Sequence, residues 1–177
     1  ETITIASEWA AVGLAGADLL NATRATTEAM VLGDLDAEQA TKSLISIMAV
    51  WRTNTDPVIG SVNDRFSELT DTLAILNATE HATGAQFDDL VDTLQRASGV
   101  ARQYGLDMRE TVALAATLIP STGTGAQAGN AIKTILSRVM VPTKEAAKEL
   151  TQIGVDLESQ EWINANALQK LQLMGQA

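Results

Sequence analysis

The chain has 177 residues with 12 basic and 22 acidic side chains, a net charge of −10, no cysteine and a single histidine. These counts exclude a disulfide framework, a thiolate zinc site, a cysteine nucleophile and a multi-histidine metal centre. The scattered lysines and arginines lack the concentrated basic face of a nucleic-acid-binding domain. Aromatic residues are only 3%, few for a β-sandwich of this length, so the balance favours helices in contact through small side chains.

In chain order, "ETITIASEW" has neither the basic nor the apolar region of a signal peptide, and its first six residues, "ETITIA", alternate weakly as the one strand candidate. A helix is expected over about residues 15–31, stopping at Gly33. Asp36 then reads as an N-cap with Gln39 at N3 for "LDAEQATKSLISIMAVW", and "DPVIGSVNDRFSELTDTLAIL" as a helix with Pro57 in its first turn. Phe87, Leu90, Leu94, Ala97, Ala101 and Tyr104 step by three and four, one stripe of a helix closed by Gly105. Asp107 with Glu110 at N3 opens the next helix, which Pro120 is expected to end. Beyond a turn, Ile132, Ile135, Leu136, Val139 and Met140 form another stripe, and "VPTKEAAKEL" opens a short helix that stops at Gly154. The chain begins with Glu and stops inside an apolar pattern, "ALQKLQLMGQA", as expected of a piece of something longer.

Placing Leu35-Asp36 on Leu106-Asp107 aligns Leu19-Leu20 with Leu90-Val91, a shift of 71 positions. Both stretches read as helix, turn and Asp-capped helix, with a partial third echo in "IGVD" at 153–156. The fold expected is all-α: helical hairpins packed as an irregular multi-helix bundle with internal duplication. It forms a single helical domain over 1–177, with 1–80 and 81–177 as its halves.

The stretch "IPSTGTGAQAGNAIKTIL" raises one chemical question, because Gly123, Gly125 and Ala128 match the G-x-G-x-x-A of dinucleotide loops. That fingerprint needs a strand in front and an acidic residue closing a second strand. The segment before it is capped and spaced as a helix, and Glu149 lies in a helix-patterned stretch. The reading is therefore a hairpin elbow. Ala115, Ala116, Ala126, Ala128, Gly129 and Ala131 allow close approach of two helices, and Gly123 and Gly125 supply backbone freedom. Gly105, Pro120, Gly123, Gly125, Gly129 and Gly154 are the hinge and elbow candidates, and Asp36 and Asp107 the helix caps.

Residues 111–132 carry no charge, but the polar residues in their middle argue against a spanning helix. Asp34, Asp36 and Glu38 fail the calcium-loop pattern at its glycine and final glutamate. Asp88, Asp89 and Asp92 read as a solvated helix face, His81 as an exposed residue without a partner, and the sequons at Asn21 and Asn77 as chance. Trp9, Trp51 and Trp162 read as anchors of separate packing contacts. No catalytic, cofactor-binding or metal-binding residue emerges, and the expectation is a non-enzyme without a cofactor.

The run "LAILNATEHATGAQFDDLVDTLQRASGVARQYGLDMRETVALAATLIPSTGTGAQAGNAIKTILSRVMVPTKEAAKELTQIGVDL", residues 73–157, resembles the core region of phage tail tape measure proteins. The likeness lies in the order of its pieces: an asparagine before a T-G-A helix start, the "YGLD" turn, the glycine-rich loop with "GNAIKTIL", and the "PTKEA…L…IGV" close. It implies a structural component of a phage or prophage tail, acting in tail length determination, tail assembly and DNA ejection. The partners implied are tail tube and tail tip proteins, a tail assembly chaperone and further copies of itself. No nucleic-acid site is implied, and membrane contact only during ejection. The implied location is the virion tail, and the host cytoplasm during assembly. The alternative is a non-catalytic helical interaction or membrane-active module of a bacterial secreted protein. As one extended helix the chain would span roughly 265 Å, whereas its Gly and Pro stops at 33, 57, 84, 105, 120 and 154 favour a folded bundle.

Overall fold

Ile5 and Trp9, one helical turn apart, are both buried, and they make the opening "ETITIA" a helix instead of the expected strand. The alternating pattern holds for only four residues, and its other isoleucine, Ile3, is 86% exposed. Packing of the i, i+4 pair overrides the β preference of Thr and Ile. The computed structural model describes residues 1–51 and 62–176, with side chains left undescribed over 62–68. Pro57 and its expected helix start lie outside the described residues.

Among the described residues there are ten helices and no strand: α1 (Thr2–Ala11), α2 (Gly16–Gly33), α3 (Ala37–Trp51), α4 (Val62–Thr83), α5 (Phe87–Gln103), α6 (Met108–Thr122), α7 (Gly125–Met140), α8 (Lys144–Gln152), α9 (Gln160–Asn164) and α10 (Ala167–Gln176). The chain is an all-α bundle. A shift of 71 positions lays α3 on α6 end for end, and α2 on α5 to within a residue. Two left-handed backbone positions recur at the same shift. Gly13 (φ 92°) falls on Gly84 (φ 74°), and Asp34 (φ 49°) on Gly105 (φ 81°). Ile5 and Leu76, also related by the shift, are 2% and 0% exposed.

Asp34, not Gly33, is the left-handed residue that closes α2. Asp tolerates this region better than most side chains. Gly33 stays helical for a different reason: a Cβ there would stand 2.7 Å from the Phe87 ring.

The two sets of three helices stack in sequence order. α3 packs on α5, α4 on α2, and α7 on both α5 and α6, with α10 against α7. A continuous set of buried apolar side chains runs from Ile5 and Trp9 through Leu44, Leu76, Leu90 and Leu94 to Leu136 and Ala167. Burying that apolar area is the main favourable term. The interior also contains satisfied polar groups, as burial demands. Trp9 Nε1 donates to Thr26 Oγ1 and Trp51 Nε1 to Ser98 Oγ, both at 2.8 Å. Leu150, Val155 and Trp162 form a second, smaller cluster under α10, with the Lys170 ammonium 5.0 Å from the centre of the Trp162 ring.

Candidate functional site

The glycine-rich stretch joins α6 to α7, and it is built differently from a simple elbow. Pro120 does not end α6, which continues to Thr122. The proline has no N–H for the Ala116 carbonyl and its ring crowds that carbonyl, so the turn beyond it is held by other bonds. The last turn is stitched by Ser121 and Thr122 hydroxyls donating to the Leu118 carbonyl, both at 2.9 Å, and by Gly123 N–H to Ile119 O at 2.8 Å. Gly123 (φ 87°) makes the turn.

Gly125, expected to supply backbone freedom, is instead the first residue of α7 and lies in its helix. Its missing side chain serves packing: a Cβ would fall 2.2 Å from the Asp89 carbonyl oxygen. One turn on, a Cβ on Gly129 would meet Arg96 Cβ at 2.9 Å and Thr93 O at 3.1 Å. The close approach is therefore between α7 and α5, more than between the two arms of the hairpin. Polar groups bind the crossing. Gly125 N–H donates to Asp89 Oδ1 at 2.6 Å, and buried Thr93 Oγ1 donates to Gly125 O at 3.0 Å. Thr124 Oγ1 accepts from Gln127 N–H. An anion bound at a helix N-terminus would need these amides, and Asp89 and Thr124 already hold two of them. Asp89 thus leaves the solvated face assigned to it from sequence, while Asp92 pairs with Arg96 at 2.9 Å in the open.

The remaining expected positions are local capping devices. Asp36 Oδ1 accepts from Gln39 N–H at 2.8 Å. Asp107 Oδ1 accepts from Glu110 N–H while Glu110 returns the bond to Asp107 N–H, both at 2.8 Å, a reciprocal capping box. At Gly105 the Leu106 N–H reaches Ala101 O at 3.0 Å, and at Gly154 the Val155 N–H reaches Leu150 O at 3.0 Å, closing α5 and α8 with Schellman geometry. One anchor escaped the sequence reading. Asn166 and Gln169 cap each other's N–H at 2.8 Å, and Asn166 Nδ2 donates to Gly105 O at 3.1 Å, seating α10 on the α5–α6 turn. The "NALQ" spacing at 166–169 was its available signal.

Among the described residues no polar set converges elsewhere. Exposed His81 has a local partner after all, its Nδ1 lying 2.8 Å from Asn77 O. Among the described residues no three His, Asp or Glu stand where they could hold a metal ion, and no helix is long and apolar enough to cross a membrane. Two apolar surface grooves are present. One of about 500 Å³ lies between α4 and α6, bordered by Ile75, Ala78, Ala82, Arg109 and Ala113. The other, about 350 Å³, lies between α7, α8 and α10, beside Val139, Pro142, Leu150, Ile153 and Met174.

Comparison with known proteins supplies what this geometry lacks. The sequence matches the family described as phage-related minor tail protein over residues 1–176. It is 31% identical over 134 residues to a probable tape measure protein of Escherichia phage P2, covering 70% of this chain and 16% of that protein. It is 32% identical over 73 residues to a tape measure protein of Pneumococcus phage Dp-1, covering 41% of this chain and 6% of that one. The chain thus spans a small part of the length of the relatives it matches, and no solved structure matches it. With a family match along nearly its whole length, the chain belongs to the phage-related minor tail protein family.

Proposed function

We propose that this chain is a folded module of a tape measure protein in a phage or prophage tail. Its likeness over 134 residues to the probable tape measure protein of phage P2 carries the reading. In that role it meets tail tube and tail tip proteins in the virion tail, and a tail assembly chaperone in the host cytoplasm beforehand. The work is structural: the described residues gather no convergent acid–base or nucleophilic set, and their polar contacts cap helices and hold helix crossings.

The shape refines the role. A ruler needs length, yet the longest helix among the described residues, α4, has 22 residues and spans about 33 Å. Turns at Gly84, Gly105 and Gly123 fold the chain back on itself. The module therefore acts in assembly and ejection as a bundle, while length is measured by other parts of the same polypeptide.

An in-frame deletion of residues 86–119 in the parent gene tests this, with tail lengths read by electron microscopy. The expected result is tails of unchanged length with assembly or infection impaired. Tails shorter by about 50 Å, the span of 34 helical residues, would place the segment in the ruler. Unchanged assembly and infectivity would remove the tail role altogether.

A further inference from the structure

The repeat leaves one helix face covered in its second copy and bare in its first. Phe87, Val91 and Ser98 share a face of α5 and are 1%, 3% and 1% exposed. The shift of 71 places Gly16, Leu20 and Thr27 at the same positions on α2. Leu20 is 71% exposed, Gly16 and Thr27 are exposed too, and Val31, one turn further along, is 80% exposed. The spacing of seven between Leu20 and Thr27, as between Val91 and Ser98, keeps each pair on one face.

On α5 that face is met by the preceding repeat. α3 packs along α5, and its final residue, Trp51, donates its indole N–H to Ser98 Oγ. The contact joins unlike surfaces, the third helix of one repeat on the second helix of the next. A contact of this kind is heterologous and can be repeated along an array. Thr27 keeps acceptor capacity for the same bond, because its hydroxyl donates to the Thr23 carbonyl at 2.9 Å and a hydroxyl that donates once still has lone pairs to accept with.

We propose that the α2 face of Gly16, Leu20 and Thr27 is the docking surface for a further three-helix repeat in the same polypeptide. The third helix of that repeat lies on α2 as α3 lies on α5, with an aromatic N–H donor above Thr27. A second copy of this chain fits less well. Its α3 is already packed on its own α5, and its α6, the corresponding helix of the second repeat, has Thr122 where α3 has the indole donor Trp51. The relatives' length beyond the matched stretch leaves ample polypeptide for more repeats. The inference rests on the duplication, not on the tail role.

The test lengthens the intact protein by one repeat, placing an additional copy of residues 1–71 in front of it. Hydrogen exchange is then followed at the α2 amides. Docking should slow exchange there at least about tenfold relative to the unextended protein. Leu20→Asp on the bare face should abolish that protection and leave the melting temperature of the unextended protein unchanged. Unaltered α2 exchange, or protection that survives Leu20→Asp, overturns the proposal. So does a Leu20-dependent dimer of the unextended protein, which would make a second copy the occupant. An independent measurement avoids reliance on folding of the added repeat. The chain contains no cysteine, so Thr27→Cys can be labelled with an environment-sensitive fluorophore and titrated with a peptide of residues 37–51. A saturable emission shift, lost in Leu20→Asp, supports docking; no shift up to about millimolar peptide, a range of weak binding, counts against it.

Discussion

The first repeat, α1–α3, and the second, α4–α6, share turns and caps but fill their second helices differently, α2 with small buried side chains and α5 with large ones. In the first, Trp9 on α1 presses into α2, whose buried residues are Ala22, Thr23, Ala25, Thr26 and Ala29. In the second, Glu80 stands where Trp9 would be, and α5 itself carries the volume in Phe87, Leu90, Val91 and Leu94. Glu80 serves the turn instead, accepting from Phe87 N–H at 3.0 Å. What the two share is turn and cap chemistry: a left-handed residue, a leucine, then an aspartate bonded to the amide three residues on. Cores tolerate redistributed volume while total filling is kept, whereas a left-handed residue or a cap cannot move without redirecting the chain. In this fold the turns fix the path, and the core is fitted to it.

That comparison can be broken most forcefully at Leu94 and its counterpart Thr23. Leu94 is fully buried, so Leu94→Ala should cost about 2–5 kcal/mol in urea unfolding. Thr23→Ala should cost less than about 1 kcal/mol, because its hydroxyl only back-bonds to Leu19 O. Equal losses would mean that the two repeats distribute their packing alike. Next, Gly125→Ala should cost about 1–3 kcal/mol. Its signature is faster amide exchange in α7, with α1–α3 unchanged, since the clash is with the α5 backbone. The smallest effect sharpens the shared part. Asp36→Ala and Asp107→Ala should each cost about 1 kcal/mol, matching one another as equivalent caps do. A clear difference between them would show that the two caps are not equivalent; Glu110→Ala, which removes only the return bond to Asp107 N–H, measures that bond by itself.

The features legible in the sequence were those whose cause is local. The α5 stripe and the aspartate caps depend on residues within a few positions of one another, and the 71-residue shift is legible because those local signals recur. The features that escaped depend on distant partners. α1 is helical because Trp9 finds Thr26, 17 residues away. Gly125 is helical and bare because Asp89 lies across α5, 36 residues back. No pattern around either residue announces its partner. Pro120 is a local stop signal, and α6 nevertheless runs two residues past it. Asp34 was hidden by its neighbour, since Gly33 invites the left-handed assignment and is instead held helical beneath Phe87.

The crossing at Gly125 also explains why this chain imitates a phosphate loop. In such loops a glycine admits an anion to the backbone amides at a helix start. Here the anion is a carboxylate that the protein carries itself, on a neighbouring helix. The motif is a lock already fitted with its own key. A glycine fingerprint of this kind therefore reports that negative charge comes close to bare backbone, and leaves open whether that charge arrives from solution or is covalently part of the fold.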